Sequence, residues 1–150
     1  MDLSIYISGL SLLVSIGALY MSAKSSALSN ELKRDSNNIQ MAAVELEIRQ
    51  MIENAKKEMY HLASEMEQNP DKQVFIDRYE SAKETYANAY DEACMKYLDG
   101  KIDKARFKNA YINEIRNIIE DANFEKLYRE PQSRYKATIK VYKEWHDHER

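Results

Sequence analysis

The apolar positions of this chain recur every three to four residues, and strand-like alternation is absent beyond the first two dozen residues. Val44, Ile48, Ile52, Ala55, Met59, Leu62 and Met66 set the rhythm of a first long helix, expected from about Ser25 to Gln68. Asn69 as N-cap, Pro70 at the first helical position and Asp71 at the positive end of the dipole predict that a second helix starts there. Its face is Phe75, Tyr79, Ala82, Tyr86, Ala89, Ala93 and Tyr97, and Gly100 is placed to end it in a left-handed conformation. A third helix from about Asp103 carries Phe107, Tyr111, Ile115, Ile118 and Ala122. Pro131 separates it from a last helix with Tyr135, Ile139, Tyr142 and Trp145. Short connections favour antiparallel neighbours, so residues 44–150 are read as an antiparallel helical bundle and the chain as all-α.

The N-terminal segment has a different pattern. Leu3 to Ala23 is a run of 21 residues without a charge, bracketed by Asp2 and Lys24. As a helix it is about 31 Å long, close to the ~30 Å hydrocarbon core of a bilayer. Residues 3–23 are therefore expected to be a single transmembrane helix. A cleavable signal peptide fits less well: Asp2 replaces a basic n-region, the apolar run is too long, and no clean small-x-small site follows. Lys24, Lys33 and Arg34 follow the run, which puts the N-terminus outside and the remainder in the cytoplasm. Tyr6 and Tyr20 sit near the two ends, where aromatic side chains favour headgroups.

Ser4, Ser8, Ser11, Ser15, Ala18 and Ser22 recur at spacings of four and three, which places them on one stripe of that helix. Small residues at such positions let helices approach closely and bond through hydroxyls. Three readings follow: a helix–helix contact, several copies around an axis whose serines line a narrow polar path, or a plain anchor in which the stripe has no role. The stripe continues as Ser25, Ser29, Leu32, Ser36, Ile39, Ala43 and Leu46, as expected of a cytosolic helical stem over 24–43. Asp35–Asn38 is a place where the stem can break.

Charge is distributed unevenly within the net −3. Residues 31–100 hold 9 Lys/Arg against 15 Asp/Glu, and residues 101–150 hold 12 against 9. Cys94, the single cysteine, precludes an intrachain disulfide and is expected to be a small buried residue.

Catalytic signatures are missing: there is no glycine-rich phosphate loop, no Gly-x-Ser-x-Gly and no Cys-x-x-Cys. Glu58 and His61 form one Glu-x-x-His, where di-iron bundles need two. His146 and His148 read as exposed imidazoles on a tail. No enzyme activity, catalytic residue, metal or cofactor is expected. The candidate ligand site is the basic, aromatic end: Arg129, Arg134, Tyr135, Lys136, Lys140, Tyr142, Lys143 and Trp145. Cations neutralise phosphates and aromatic faces stack on bases, so an anionic nucleotide or short oligonucleotide is the ligand considered. The bland alternative is an amphipathic helix with its aromatics packed inward and its lysines in water.

The serine-striped span, the stem, and tyrosine-rich helices with a basic end together resemble small membrane effectors of bacterial anti-phage systems, in outline the channel-forming partner of the two-gene Hailong type. The resemblance covers the chain as architecture. It implies a homo-oligomeric gated ion channel whose cytosolic bundle controls the pore, held shut by a nucleotide-derived ligand until infection. The alternative is a membrane-anchored adaptor whose helical domain recruits a protein partner.

Overall fold

Between Gly17 and Pro70 the chain carries neither glycine nor proline, and a single helix runs through the interval. The structure is a computed structural model that describes residues 3–146, with side chains from Ser15 onward except that of Ile16. Helix α1 is Leu3–Gln68, α2 is Gln73–Leu98 and α3 is Lys104–Glu120. A 3₁₀ turn, Ala122–Phe124, leads into a one-turn α4, Glu125–Tyr128, and α5 is Lys136–His146. Among the described residues there is no strand, and the fold is all-α. Asp35–Asn38 does not interrupt α1. Each of those polar residues costs a helix less than about 1 kcal/mol, too little to break it without a glycine or proline.

The chain forms two compact units, Met1–Gln40 and Met41–Arg150. In the second, the α1 residues Ile48, Ile52, Ala55, Met59 and Leu62 are buried as their spacing requires. The α2 face from Ala82 to Tyr97 meets them, and Phe107, Ile115 and Ile118 of α3 join the same core with Val141 and Trp145 of α5. Cys94 is wholly buried, and burial pushes its thiol pKa up.

Two of the expected helix boundaries shift. The second helix begins at Gln73, not Pro70, with Lys72 in the cap position and no side-chain cap. Asn69 instead serves the helix behind it: its Nδ2 donates to the Glu65 carbonyl at 3.1 Å, satisfying one of the last carbonyls of α1. Lys72 N–H then closes a turn on the Asn69 carbonyl at 3.1 Å. The third helix stops at Glu120, because the Asp121 side chain accepts from Asn123 N–H and starts the 3₁₀ turn. Ala122 is left exposed. Gly100 behaves as expected, with φ 67°. Gly100 N–H bonds to the Tyr97 carbonyl and Lys101 N–H to the Lys96 carbonyl, the paired pattern of a Schellman ending.

The helix directions follow from side-chain pairings. Tyr90 meets Glu114 and Tyr97 meets Phe107, so α2 and α3 are antiparallel. Asp91 meets Thr138 and Tyr97 meets Trp145, so α5 runs parallel to α2. Phe107 meets Trp145 and Glu120 meets Tyr142, so α5 is antiparallel to α3, and α2, α3 and α5 alternate in direction as expected.

Candidate functional site

The basic end folds around one serine. Ser133 Oγ donates to the Leu127 carbonyl at 2.6 Å and accepts from Tyr135 N–H at 3.1 Å. This loop gathers Lys126, Arg129 and Arg134 around an open cleft of 580 Å³, with Gln132 and Tyr135 also in its wall. The Arg134 guanidinium lies over the Tyr135 ring at 5.1 Å and donates to its hydroxyl at 2.9 Å and to Glu84 at 2.8 Å. Those two acceptors hold its pKa above the ordinary arginine value. Arg129 pairs with Glu125. Two of the three cleft cations thus have carboxylate partners, all of them exposed to solvent, and exposed pairs exchange readily for another anion.

Of the other members of the predicted ligand set, only Tyr135 shares this cleft. Lys136 donates to the Pro131 carbonyl at 2.7 Å. Lys143 pairs with Glu130, whose carboxyl that bond holds below the ordinary range. Tyr142 OH donates to Glu120 at 2.6 Å, and Lys140 is exposed. Tyr135 and Trp145 are buried, with their rings against Tyr128 and against Tyr97 and Phe107 respectively. Their faces are used inside the protein, so the cleft offers cations and hydrogen-bonding groups without an open stacking platform. His146 is also buried: Nδ1 lies 2.9 Å from the Tyr142 carbonyl and its ring stacks on Tyr142. The expectation of an exposed imidazole is corrected there, because α5 continues packing to His146. His148 lies outside the described residues.

A second concavity was not legible from spacing. It has a volume of 430 Å³, with Lys56 and Tyr60 from α1, Tyr79 and Tyr86 from α2, and Glu114 and Asn117 from α3 in its wall. Glu114 organises it. One carboxylate oxygen accepts from the fully buried Tyr90 hydroxyl and the other lies 3.5 Å from Lys56 Nζ. The Tyr86 hydroxyl donates to that of Tyr90 at 3.4 Å. Glu114 raises the Lys56 pKa, and burial raises those of both phenols. The spacing placed Tyr86 on the core face but did not include Tyr90, which is wholly buried, and it could not say that a carboxylate from the next helix would meet them.

Tyr128 lies beside the Asp91–Thr138 pair. Its hydroxyl is buried and has no hydrogen-bond partner among the described residues. Tyr128→Phe removes an unsatisfied polar group while keeping the ring packed on Tyr135, so stability is expected to rise by about 1 kcal/mol. A lower urea midpoint for that variant would contradict this.

Of the serine stripe, the side chains of Ser4, Ser8 and Ser11 lie outside the described residues, while Ser15, Ala18 and Ser22 are exposed. Leu19, Tyr20 and Met21 beside them are 72%, 68% and 67% exposed. Among the described residues no helix is long and apolar enough to cross a membrane. Of the uncharged run, side chains are described only for Ser15 and for residues 17–23. Also among the described residues, no group of three or more His, Cys, Asp or Glu is placed to hold a metal ion. His61 lies 4.0 Å from Glu65. No protein-family model, characterised protein or solved structure matches the chain.

Proposed function

We propose that this chain is a homo-oligomeric, single-span protein of the bacterial inner membrane that permeabilises the bilayer under the control of its helical cytosolic bundle. The observation that carries the reading is a mismatch within the first unit. An uncharged run of 21 residues enters a helix on which Leu19, Tyr20, Met21, Leu28, Leu32 and Ile39 are all exposed. That unit offers these side chains nothing to pack against, whereas lipid and neighbouring copies would cover them. The serine stripe supports close approach of the copies, with hydroxyls toward a shared axis. The basic cleft at Lys126, Arg129 and Arg134 is suited to an anionic regulator, such as a nucleotide phosphate. This outline is what the resemblance to Hailong-type effectors implies.

A second reading has its own support. The core of the second unit is built entirely from residues 48–145, so the bundle has a closed interior of its own. It would then act as a membrane-tethered adaptor that recruits a protein partner. Reconstitution of the full chain in dye-loaded vesicles separates the two. The permeabilising protein releases dye, and replacing Ser8, Ser11 and Ser15 together with leucine is expected to abolish the release. Unchanged leakage in the triple variant would overturn the stripe's role. A chain that binds vesicles without leakage would favour the adaptor.

A further inference from the structure

We propose that residues 22–39 wind around the same stretch of a second copy of this chain, parallel and in register, as a short coiled coil. The inference deepens the oligomeric part of the function proposed above. Ser22, Ser25, Ser29, Leu32, Ser36 and Ile39 are spaced three and four residues apart without a lapse, and all are exposed. A lone straight helix gains nothing from a repeat of 3.5, because at 3.6 residues per turn the row drifts by about 20° per heptad. A supercoiled pair keeps the row facing its partner throughout. All five charged residues of the stretch, Lys24, Glu31, Lys33, Arg34 and Asp35, fall off the row. Leu32 and Ile39 alternate along it with Ser29 and Ser36, large positions against small ones that admit a neighbouring backbone.

The flanking charges favour a parallel copy as the occupant. Lys33 and Asp35 lie on opposite flanks of the row. In a parallel in-register pair, the Lys33 flank of one copy meets the Asp35 flank of the other. In an antiparallel pair, like flanks meet and the charges repel. Two and a half heptads are short for a coil free in solution. Identical chains held side by side in one bilayer start from a high effective concentration, and that offsets the shortness.

Cysteine crosslinking of the full chain in membranes tests this. Leu32→Cys and Ile39→Cys place a thiol on the row, whereas Arg34→Cys and Asn38→Cys place one off it. All four sites are exposed, and the natural chain, with Cys94 buried, supplies the baseline. After mild oxidation with copper phenanthroline, the on-row variants are expected to give a band of twice the chain mass. Its yield should be about five-fold or more above that of the off-row variants, since disulfides form only where the sulfurs approach closely. Equal yields at all four sites, or on-row yields no higher than that of the natural chain, would overturn the proposal. Vesicle leakage is a separate readout: leakage with equal crosslinking removes the coil and leaves the effector reading intact. On-row crosslinks without leakage uphold the coil alone.

Discussion

Trp145→Ala is expected to lower the stability of the second unit by about 4 kcal/mol, the scale of removing a buried indole. Trp145 is the only tryptophan, and α5 inserts it where α2 and α3 converge. Its ring stands edge-on to Tyr97 at 5.3 Å and lies 6.0 Å from Phe107. Its Nε1 donates to the Tyr97 hydroxyl at 3.0 Å, and that hydroxyl donates to Glu144 at 2.7 Å. Truncation leaves Tyr97 with its Glu144 bond, so the polar loss is small and the cavity is the main cost. Trp145→Phe refills most of that space and should cost about 1–2 kcal/mol. Urea unfolding followed by far-ultraviolet circular dichroism reads both without needing the indole. A midpoint for Trp145→Ala within error of the natural chain would show that the three helices do not depend on this contact.

The helices were legible because the chain repeats its apolar positions faithfully and has few breakers. The rows on α1 and α2 are buried from Ile48 to Leu62 and from Ala82 to Tyr97 and only half-buried at their ends, and Gly100 ends α2 as its position implied. What failed was local. Asn69 looked like a cap for the helix ahead of it, and instead its amide satisfies a carbonyl of the helix behind it. Both uses suit an asparagine before a proline, and only three-dimensional context decides between them. His146 looked like tail because only four residues follow it in the sequence, yet α5 buries it. The candidate ligand set mixed two kinds of residue. Arg129, Arg134 and Tyr135 do line one cleft, while Trp145 lies in the core with its ring against Tyr97 and Phe107. Partners distant in sequence, such as Glu114 for Tyr90 and Asp91 for Thr138, left no trace in the spacing.

The Asp91–Thr138 pairing gives the second large expectation: Asp91→Ala should destabilise the unit by about 3 kcal/mol. One oxygen of the Asp91 carboxylate accepts from Thr138 N–H at 2.9 Å and from Thr138 Oγ1 at 3.0 Å. Thr138 is the third residue of α5, where backbone N–H groups have no partner within the helix. The carboxylate therefore caps α5 from a neighbouring helix and also meets the positive end of its dipole. Thr138 is 0% exposed, so water cannot replace the lost acceptor. Alanine leaves the amide stranded and removes the hydroxyl's carboxylate acceptor. Asparagine keeps an acceptor but loses the charge, and about 1 kcal/mol is expected. Thr138→Val should cost less than Asp91→Ala, since the amide bond survives in it. The Asp91→Ala, Thr138→Val double variant should then fall short of the sum of the two singles, because they share a bond. Strict additivity of the urea midpoints would mean that Asp91 acts on the fold by some route other than α5.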